Sequence, residues 1–163
     1  LGRHPEQTLV GVLAVDVDQP HAVLGEGRRE VRVVMLHAFQ MLCPGCVSHG
    51  TPQAQRAQSL SRNTDLAVIG LHTVFEHHAA MTPVSLEAFI HEYRLTFPIG
   101  VDQASENDPI PVTMRRYQMR GTPSCVIIGR DGAIRHHGFG QEEDMALGAI
   151  LGSLLAEKAS GAA

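Results

Sequence analysis

Residues 31–52 read VRVVMLHAFQMLCPGCVSHGTP, and this stretch decides the fold of the 163-residue chain. Residues 31–36 are mostly apolar and rich in valine, as expected for a short strand that is buried on both faces of a parallel sheet. Pro44 suits the first turn of a helix, and residues 53–60 are good or tolerable helix formers. The stretch therefore predicts a buried strand that passes directly into a helix.

Two cysteines lie where this strand becomes a helix. The unpaired amides and the macrodipole of a helix start favour an anion, so they should stabilise the thiolate of Cys43. Cys46 is less than one turn away, and its sulfur can reach the sulfur of Cys43 to resolve a mixed disulfide. We therefore predict a thiol redox centre with Cys43 as the nucleophile and Cys46 as the resolving thiol.

The composition limits the other classes of function. A length of 163 residues with 44% hydrophobic content predicts one domain, residues 1–163, with a full hydrophobic core. The formal net charge is −4 and no basic block is present, so we expect no nucleic-acid partner. Three cysteines are too few for the disulfide framework of a small secreted protein.

The ends of the chain bear on its location. No run of apolar residues is long enough for a membrane span, and the first residues show no signal-peptide pattern. We expect a cytoplasmic protein, with a periplasmic protein that has lost its leader as the alternative. Residues 1–30 are predicted to form an extension that packs on the core, with residues 9–17 as a strand or a short helix.

The remaining elements alternate between strand and helix. They are a buried strand over 65–75, a helix over 85–94, a short strand over 97–101, an exposed acidic loop over 102–111, a short helix over 112–120, a β-hairpin over 124–139 and a closing amphipathic helix over 142–157. Gly148 and Gly152 in the closing helix predict that it packs closely on the sheet.

Two motifs in this order carry a resemblance to a known family. Cys43-Pro44-Gly45-Cys46 follows the first core strand, and Gly121-Thr122-Pro123 precedes the hairpin. The pattern resembles the thioredoxin superfamily, in particular its TlpA-like or redoxin branch. The resemblance implies an α/β protein with a thioredoxin-like three-layer α/β/α fold, a central mixed β-sheet and a C-terminal β-hairpin plus helix, whose core spans residues 31–157.

The same resemblance assigns roles to site residues. It implies that Cys43 attacks, that Cys46 resolves, and that Pro123 is a cis-proline that faces the pair and offers backbone bonding to an extended substrate. Thr122, Pro44 and Gly45 would then contact the substrate.

The chain departs from this family at several positions near the cysteines. His37 takes the place of a buried Asp of thioredoxins, and His49 takes the place of a Glu that TlpA-like proteins often carry. Leu42 replaces the usual Trp before the first Cys, and Pro52 lies one residue later than the usual helix-kinking proline.

The two histidines are candidates for tuning the pKa values of the thiols. His49 lies one helical turn from Cys46, so it either tunes that thiol or is a histidine of the helix surface. His37 lies in the buried strand, where a neutral, hydrogen-bonded core histidine is favoured over a proton relay because burial disfavours the charged form.

The predicted function is a thiol:disulfide oxidoreductase that needs no cofactor or metal. Its partner would be a protein or small-molecule thiol or disulfide, and the protein would be a monomer or a homodimer. A thiol peroxidase is one alternative, although peroxiredoxins carry Thr or Ser three residues before the reactive Cys, where this chain has Gln40. A copper or zinc metallochaperone that uses both cysteines, His49 and a distant His is another, since the chain holds ten histidines.

A third cysteine leaves two interpretations open. Cys125 lies two residues after Pro123, so strand alternation places both on the same face of the sheet. Cys125 is then either a third thiol in the reaction or a buried, inert core residue.

Overall fold

The computed structural model describes residues 32–157, so the predicted extension over residues 1–30 lies outside the described part of the chain. Within these residues, five strands and four α-helices follow one another. The strands are β1 (Val33–Phe39), β2 (Leu66–His72), β3 (Ile99–Val101), β4 (Ser124–Ile128) and β5 (Ile134–Phe139), and the helices are α1 (Thr51–Ser61), α2 (Pro83–Glu92), α3 (Val112–Arg116) and α4 (Asp144–Ala156). Within residues 32–157, no helix is both long and apolar enough to span a membrane.

The strands form one mixed sheet in the order β3-β2-β1-β4-β5. The pairs β1–β2 and β2–β3 are parallel, whereas β1–β4 and β4–β5 are antiparallel. Since β1 and β4 run in opposite directions, the end of β1 lies beside the start of β4, with Ala38 opposite Ser124. This register brings the segment before Ser124 to the edge of the sheet where the two cysteines follow β1.

All residues of β1 and β2 are buried, which confirms the prediction of two strands covered on both faces. Alternate residues of β1 point to opposite faces. Val33, Met35 and Phe39 pack in a core shared with α1, α2 and α4, whereas the other core includes Val34 and Leu36 with methionines in and after α3. The result is a three-layer α/β/α arrangement.

The second helix begins earlier than the sequence pattern predicted. We expected residues 85–94, but α2 begins at Pro83, directly after Thr82. The Thr82 hydroxyl accepts a hydrogen bond from the Ser85 amide at 3.3 Å, and proline is favoured in the first helical position because its missing N–H needs no partner there.

The acidic loop over 102–111 was predicted to be exposed, and this is wrong for Asp102. Asp102 is buried, and its carboxylate accepts hydrogen bonds from the Thr73 hydroxyl and from the amides of Thr113 and Met114 at 2.9–3.0 Å. The carboxylate thus satisfies two amides at the start of α3, which have no partners within the helix. A side chain 11 and 12 positions from the two amides supplies this cap, so local sequence does not reveal it.

The expected close packing of Gly148 and Gly152 is also wrong. A Cβ atom at either position would meet no heavy atom within 4 Å. The buried side of α4 is formed by Leu147, Leu151 and Leu154 instead.

Candidate active site

Cys43 lies at the point where the chain turns from β1 into a helix. Its amide donates to the Gln40 carbonyl at 3.1 Å, which closes a turn after the strand. Pro44 and Gly45 are helical, and the Val47 amide donates to the Cys43 carbonyl at 3.0 Å. Cys43 therefore occupies the N-cap position of the helical segment.

The sulfur of Cys43 takes the part of an N-cap side chain. The amide of Cys46 donates a hydrogen bond to the Cys43 Sγ at 3.3 Å. Serine or aspartate oxygens accept the same bond at ordinary helix starts. Because this donor and the helix dipole both favour negative charge, the position suits a thiolate nucleophile.

The helix continues through one π-helical turn, Cys46–Gly50, before it becomes α1. The Thr51 amide donates to the Cys46 carbonyl, five residues back. A π turn contains one residue more than an α turn. One extra residue therefore lies between the motif and Pro52, compared with a regular α-helix of the same phase.

The two thiols of the motif have different surroundings. Cys43 is partly exposed, whereas Cys46 is fully buried, and both are free thiols. Burial, and next the hydrogen bond with Cys43, raises the pKa of the Cys46 thiol to about 12. Cys43 can thus meet a substrate while Cys46 stays protonated beneath it.

The loop before β4 lies against this pair. The Thr122–Pro123 peptide bond is cis, and the Thr122 carbonyl accepts a hydrogen bond from the Cys43 Sγ at 3.5 Å. A Cβ atom on Gly45 would lie 3.3 Å from the Pro123 Cδ, and Pro44 is exposed beside them. The structure therefore brings together the two cysteines and the four residues predicted to contact the substrate.

Gly50 is a structural residue of the site that the sequence interpretation missed. A Cβ atom at this position would lie 2.7 Å from the Pro123 Cβ and 2.8 Å from the His37 Cε1. Both neighbours are stiff rings, so a larger residue would displace the helix or the proline loop. A glycine inside a predicted helix was the available signal, since it lowers helix propensity and so points to a packing reason.

His37 lies under the π turn. It is 2% exposed, and its Nε2 is 3.2 Å from the Thr51 Oγ1. Its ring stacks on Phe39 with an interplanar angle of 4°. Burial lowers the pKa of His37 to about 4, so the imidazole is neutral near pH 7. The surroundings are those of a hydrogen-bonded core histidine.

His49 links the π turn to the start of α4. Its Nε2 donates to the Glu142 carbonyl at 2.8 Å, and the Gln53 side chain donates to the same oxygen at 3.0 Å. The imidazole thus takes part in a contact between two helical segments. Tuning of Cys46 by His49 stays a prediction.

Cys125 lies in the same hydrophobic core as Cys46, and Cys43 packs against this core. It is 6% exposed, and burial together with the charge of Glu142 raises its pKa to about 12. Such a thiol is protonated at neutral pH and is therefore a poor nucleophile.

A pocket of about 360 Å³ opens beside Cys43. The flanking side chains of Leu42 and Phe139 are 54% and 44% exposed, which gives the mouth an apolar rim. The residues that line the pocket come from the turn before Cys43, the loop after β2, the proline loop and the end of β5: Gln40, Leu42, Cys43, Pro44, Phe75, Glu76, His77, Met81, Gly121, Thr122 and Phe139.

The described part of the chain, residues 32–157, shows no set of ligands for the alternative function as a metal carrier. In this part of the chain, no group of three or more His, Cys, Asp or Glu side chains has an arrangement that could hold a metal ion.

Several solved structures share this fold. A crystallised thioredoxin-like superfamily protein is 54% identical, with 78% of this chain and 82% of the other covered and a TM-score of 0.75. A thiol-disulfide isomerase from Corynebacterium glutamicum is 48% identical over 82% of this chain and 90% of its own, with a TM-score of 0.77. StoA from Bacillus subtilis, at 21% identity over 75% of this chain and 84% of its own, shares the fold with a TM-score of 0.60. No protein-family model and no curated protein matches the sequence.

Proposed function

This chain belongs to the thioredoxin-like superfamily, and we propose that it is a thiol:disulfide oxidoreductase in which Cys43 and Cys46 cycle between dithiol and disulfide. The proposal rests on one observation above the others. The accessible Cys43 sulfur caps a helix start and accepts a hydrogen bond from the amide of Cys46. The thiol of Cys46 itself is fully buried. This asymmetry separates an attacking thiol from a resolving thiol.

The reduction of a substrate disulfide takes two exchange steps. In the first, the Cys43 thiolate attacks one substrate sulfur, the substrate S–S bond breaks, and the second substrate sulfur leaves as a thiolate that takes up a proton from water. In the second, the Cys46 proton passes to water, and the Cys46 thiolate attacks the Cys43 sulfur to form the Cys43–Cys46 bond. The bond between Cys43 and the first substrate sulfur breaks, and that sulfur leaves as a thiolate that takes up a proton from water. Two electrons pass from the protein dithiol to the substrate, and the reverse sequence oxidises a substrate dithiol.

Formation of the mixed disulfide also prepares the second step. Burial is the main cause of the raised pKa of Cys46 in the dithiol state. The hydrogen bond with Cys43 and the charge of Cys43 raise this pKa further. Both contributions end when the Cys43 sulfur is bonded to the substrate. The pKa of Cys46 should therefore fall at the stage at which its thiolate is needed.

The loop around Pro123 gives an extended substrate a place to bind. It lies against Cys43 through the Thr122 carbonyl and against the helix through Gly45. The main chain of the substrate would lie along Thr122 and Pro123, with Pro44 and Gly45 on its other side. No cofactor takes part in this scheme.

Peroxide reduction ranks below disulfide exchange. The residue three positions before Cys43 is Gln40, and its side-chain amide is hydrogen-bonded to the loop at Phe75 and Glu76. It offers no hydroxyl group next to the Cys43 sulfur.

Reduction of insulin disulfides by dithiothreitol tests the proposal. We expect catalysis by the wild-type protein, loss of catalysis in Cys43→Ser, and a trapped mixed disulfide with substrate in Cys46→Ser. Cys125→Ser, which changes a buried thiol outside the motif, serves as the matched control. Full activity in Cys43→Ser would overturn the assignment of the nucleophile.

A further inference from the structure

Glu76 places a carboxylate at the pocket beside Cys43. Among residues 32–157, the lining includes no other acid and no lysine or arginine, and its remaining ionisable side chains are Cys43 and His77. Leu42, Phe75, Met81 and Phe139 supply apolar walls. A substrate side chain that fits this lining combines an apolar stem with a positive charge, which describes lysine and arginine.

Gln40 holds this carboxylate in a fixed relation to the reactive thiol. Gln40 is 1% exposed, and its Oε1 accepts from the Phe75 amide at 3.3 Å while its Nε2 donates to the Glu76 Oε1 at 3.5 Å. The Gln40 carbonyl accepts a hydrogen bond from the amide of Cys43 at 3.1 Å. One buried residue therefore joins the Cys43 turn to the loop that carries the acid.

Arg120 lies behind one wall of the pocket, where its guanidinium contacts an aromatic ring. The Arg120 guanidinium lies 5.0 Å from the centroid of the Phe139 ring, as in a cation–π contact. Phe139 lines the pocket, and Arg120 does not. Glu76 thus lines the pocket, whereas the guanidinium of Arg120 lies against the Phe139 ring.

We propose that Glu76 is a specificity-determining residue that favours protein disulfides with a lysine or arginine one or two residues from the reacting cysteine. Acidic substrates, such as peptides with Asp or Glu at that place, are disfavoured by the same charge. This inference rests on the proposed disulfide exchange and names the substrate class of that reaction.

A set of matched peptide disulfides tests the inference. The peptides differ in one residue beside the cysteine, which is Lys, Gln or Glu, and kcat/KM is measured with each at pH 8 and low salt. Because exposed ion pairs contribute little, we expect a Lys-to-Glu ratio of about fivefold for the wild-type protein. The ratio should fall toward one in Glu76→Gln and, for the wild-type protein, in 0.5 M salt.

The matched control is Glu87→Gln, which removes an exposed carboxylate on α2 outside the pocket and should keep the ratio. An unchanged ratio in Glu76→Gln overturns the inference, and so does a wild-type ratio of one. The uncharged substrate hydroxyethyl disulfide distinguishes a failure of the proposed charge preference from a failure of the proposed disulfide exchange. If the wild-type protein reduces it but shows no preference among the peptides, only the inference fails. If the wild-type protein reduces neither, the proposed function fails as well.

Discussion

The amide of Cys46 donates a hydrogen bond to the sulfur of Cys43 at 3.3 Å, so the proposed nucleophile is also the cap of its own helix. A capping group is held in one rotamer by the bond that it accepts. The CxxC spacing thus fixes the orientation of Cys43 and leaves Cys46 below it, out of contact with solvent.

The first prediction concerns the order of thiol reactivity. Iodoacetamide at pH 7.5 should modify Cys43 much faster than Cys46 or Cys125, because the last two are buried and burial raises both their pKa values to about 12. Peptide mass spectrometry of the modified protein measures the three rates. Protein unfolded in urea provides the control, in which all three should react alike. Equal labelling of Cys46 and Cys43 in the folded protein would contradict the prediction.

The second prediction compares two glycines in helical segments. Gly50→Ala should destabilise the protein by about 1–3 kcal/mol, since the new Cβ would overlap the rings of Pro123 and His37. Gly148→Ala should stabilise it by about 0.5–1 kcal/mol, because that Cβ meets open space and alanine favours the helix. Urea unfolding of both variants measures the free energy differences. A Gly50→Ala protein as stable as the wild type would show that the helix and the proline loop are not in close contact.

The third prediction is a loss of stability in weak acid. Burial lowers the pKa values of both His37 and His72 from 6.5 to about 4. In this interval the unfolded chain binds protons that the folded chain does not, so the free energy of unfolding is highest above pH 6.5 and falls as the pH drops toward 4. Each histidine contributes on the order of 3 kcal/mol.

The variant His72→Leu tests this pH dependence. The Nε2 of His72 has no hydrogen-bond partner in the described part of the chain, so His72→Leu removes both a titrating group and a buried nitrogen that lacks a partner. The difference in unfolding free energy between pH 7.5 and pH 5 should be smaller in this variant than in the wild type. His78→Gln, a change at an exposed position, should leave the difference as it is.

The fourth prediction concerns His49. If this imidazole tunes the motif, His49→Ala should change the dependence of Cys43 alkylation on pH between 5 and 8, the range in which histidines change charge. Gln53→Ala is the matched variant, since it removes the other donor to the Glu142 carbonyl but no imidazole. The same alkylation profile in His49→Ala and wild type would limit His49 to its contact with Glu142.

Local pattern was sufficient for much of the fold. The valine-rich run that forms β1, the CxxC at the following helix start and the turn with Gly132 between β4 and β5 are all set by residues close together in sequence. Family likeness supplied the link between the cysteines and Thr122 and Pro123. No physical rule derives that link from the residues themselves, since X-Pro bonds in folded proteins are rarely cis.

Contacts between distant segments were beyond local pattern. Gln40 and Glu76 are 36 positions apart, and only the packing of two loops at one edge of the sheet brings their side chains together. Asp102 was misplaced for the same reason, because its partners are Thr73, directly after β2, and residues of α3. The spacing of polar residues along a chain carries no signal for such pairs.

The π turn at Cys46–Gly50 also matters for protein engineering. Successive residues of an α-helix are rotated by about 100°, so one residue more or less in a regular helix would turn the motif away from the buried side of α1. The π turn adds one residue between the motif and α1, and Pro52 follows in the first turn of α1. A CxxC segment taken from a protein with a regular α-helix should therefore replace residues 43–52 as one block. If only the four motif residues were exchanged, the π turn of this chain would remain behind a motif that evolved with a regular helix.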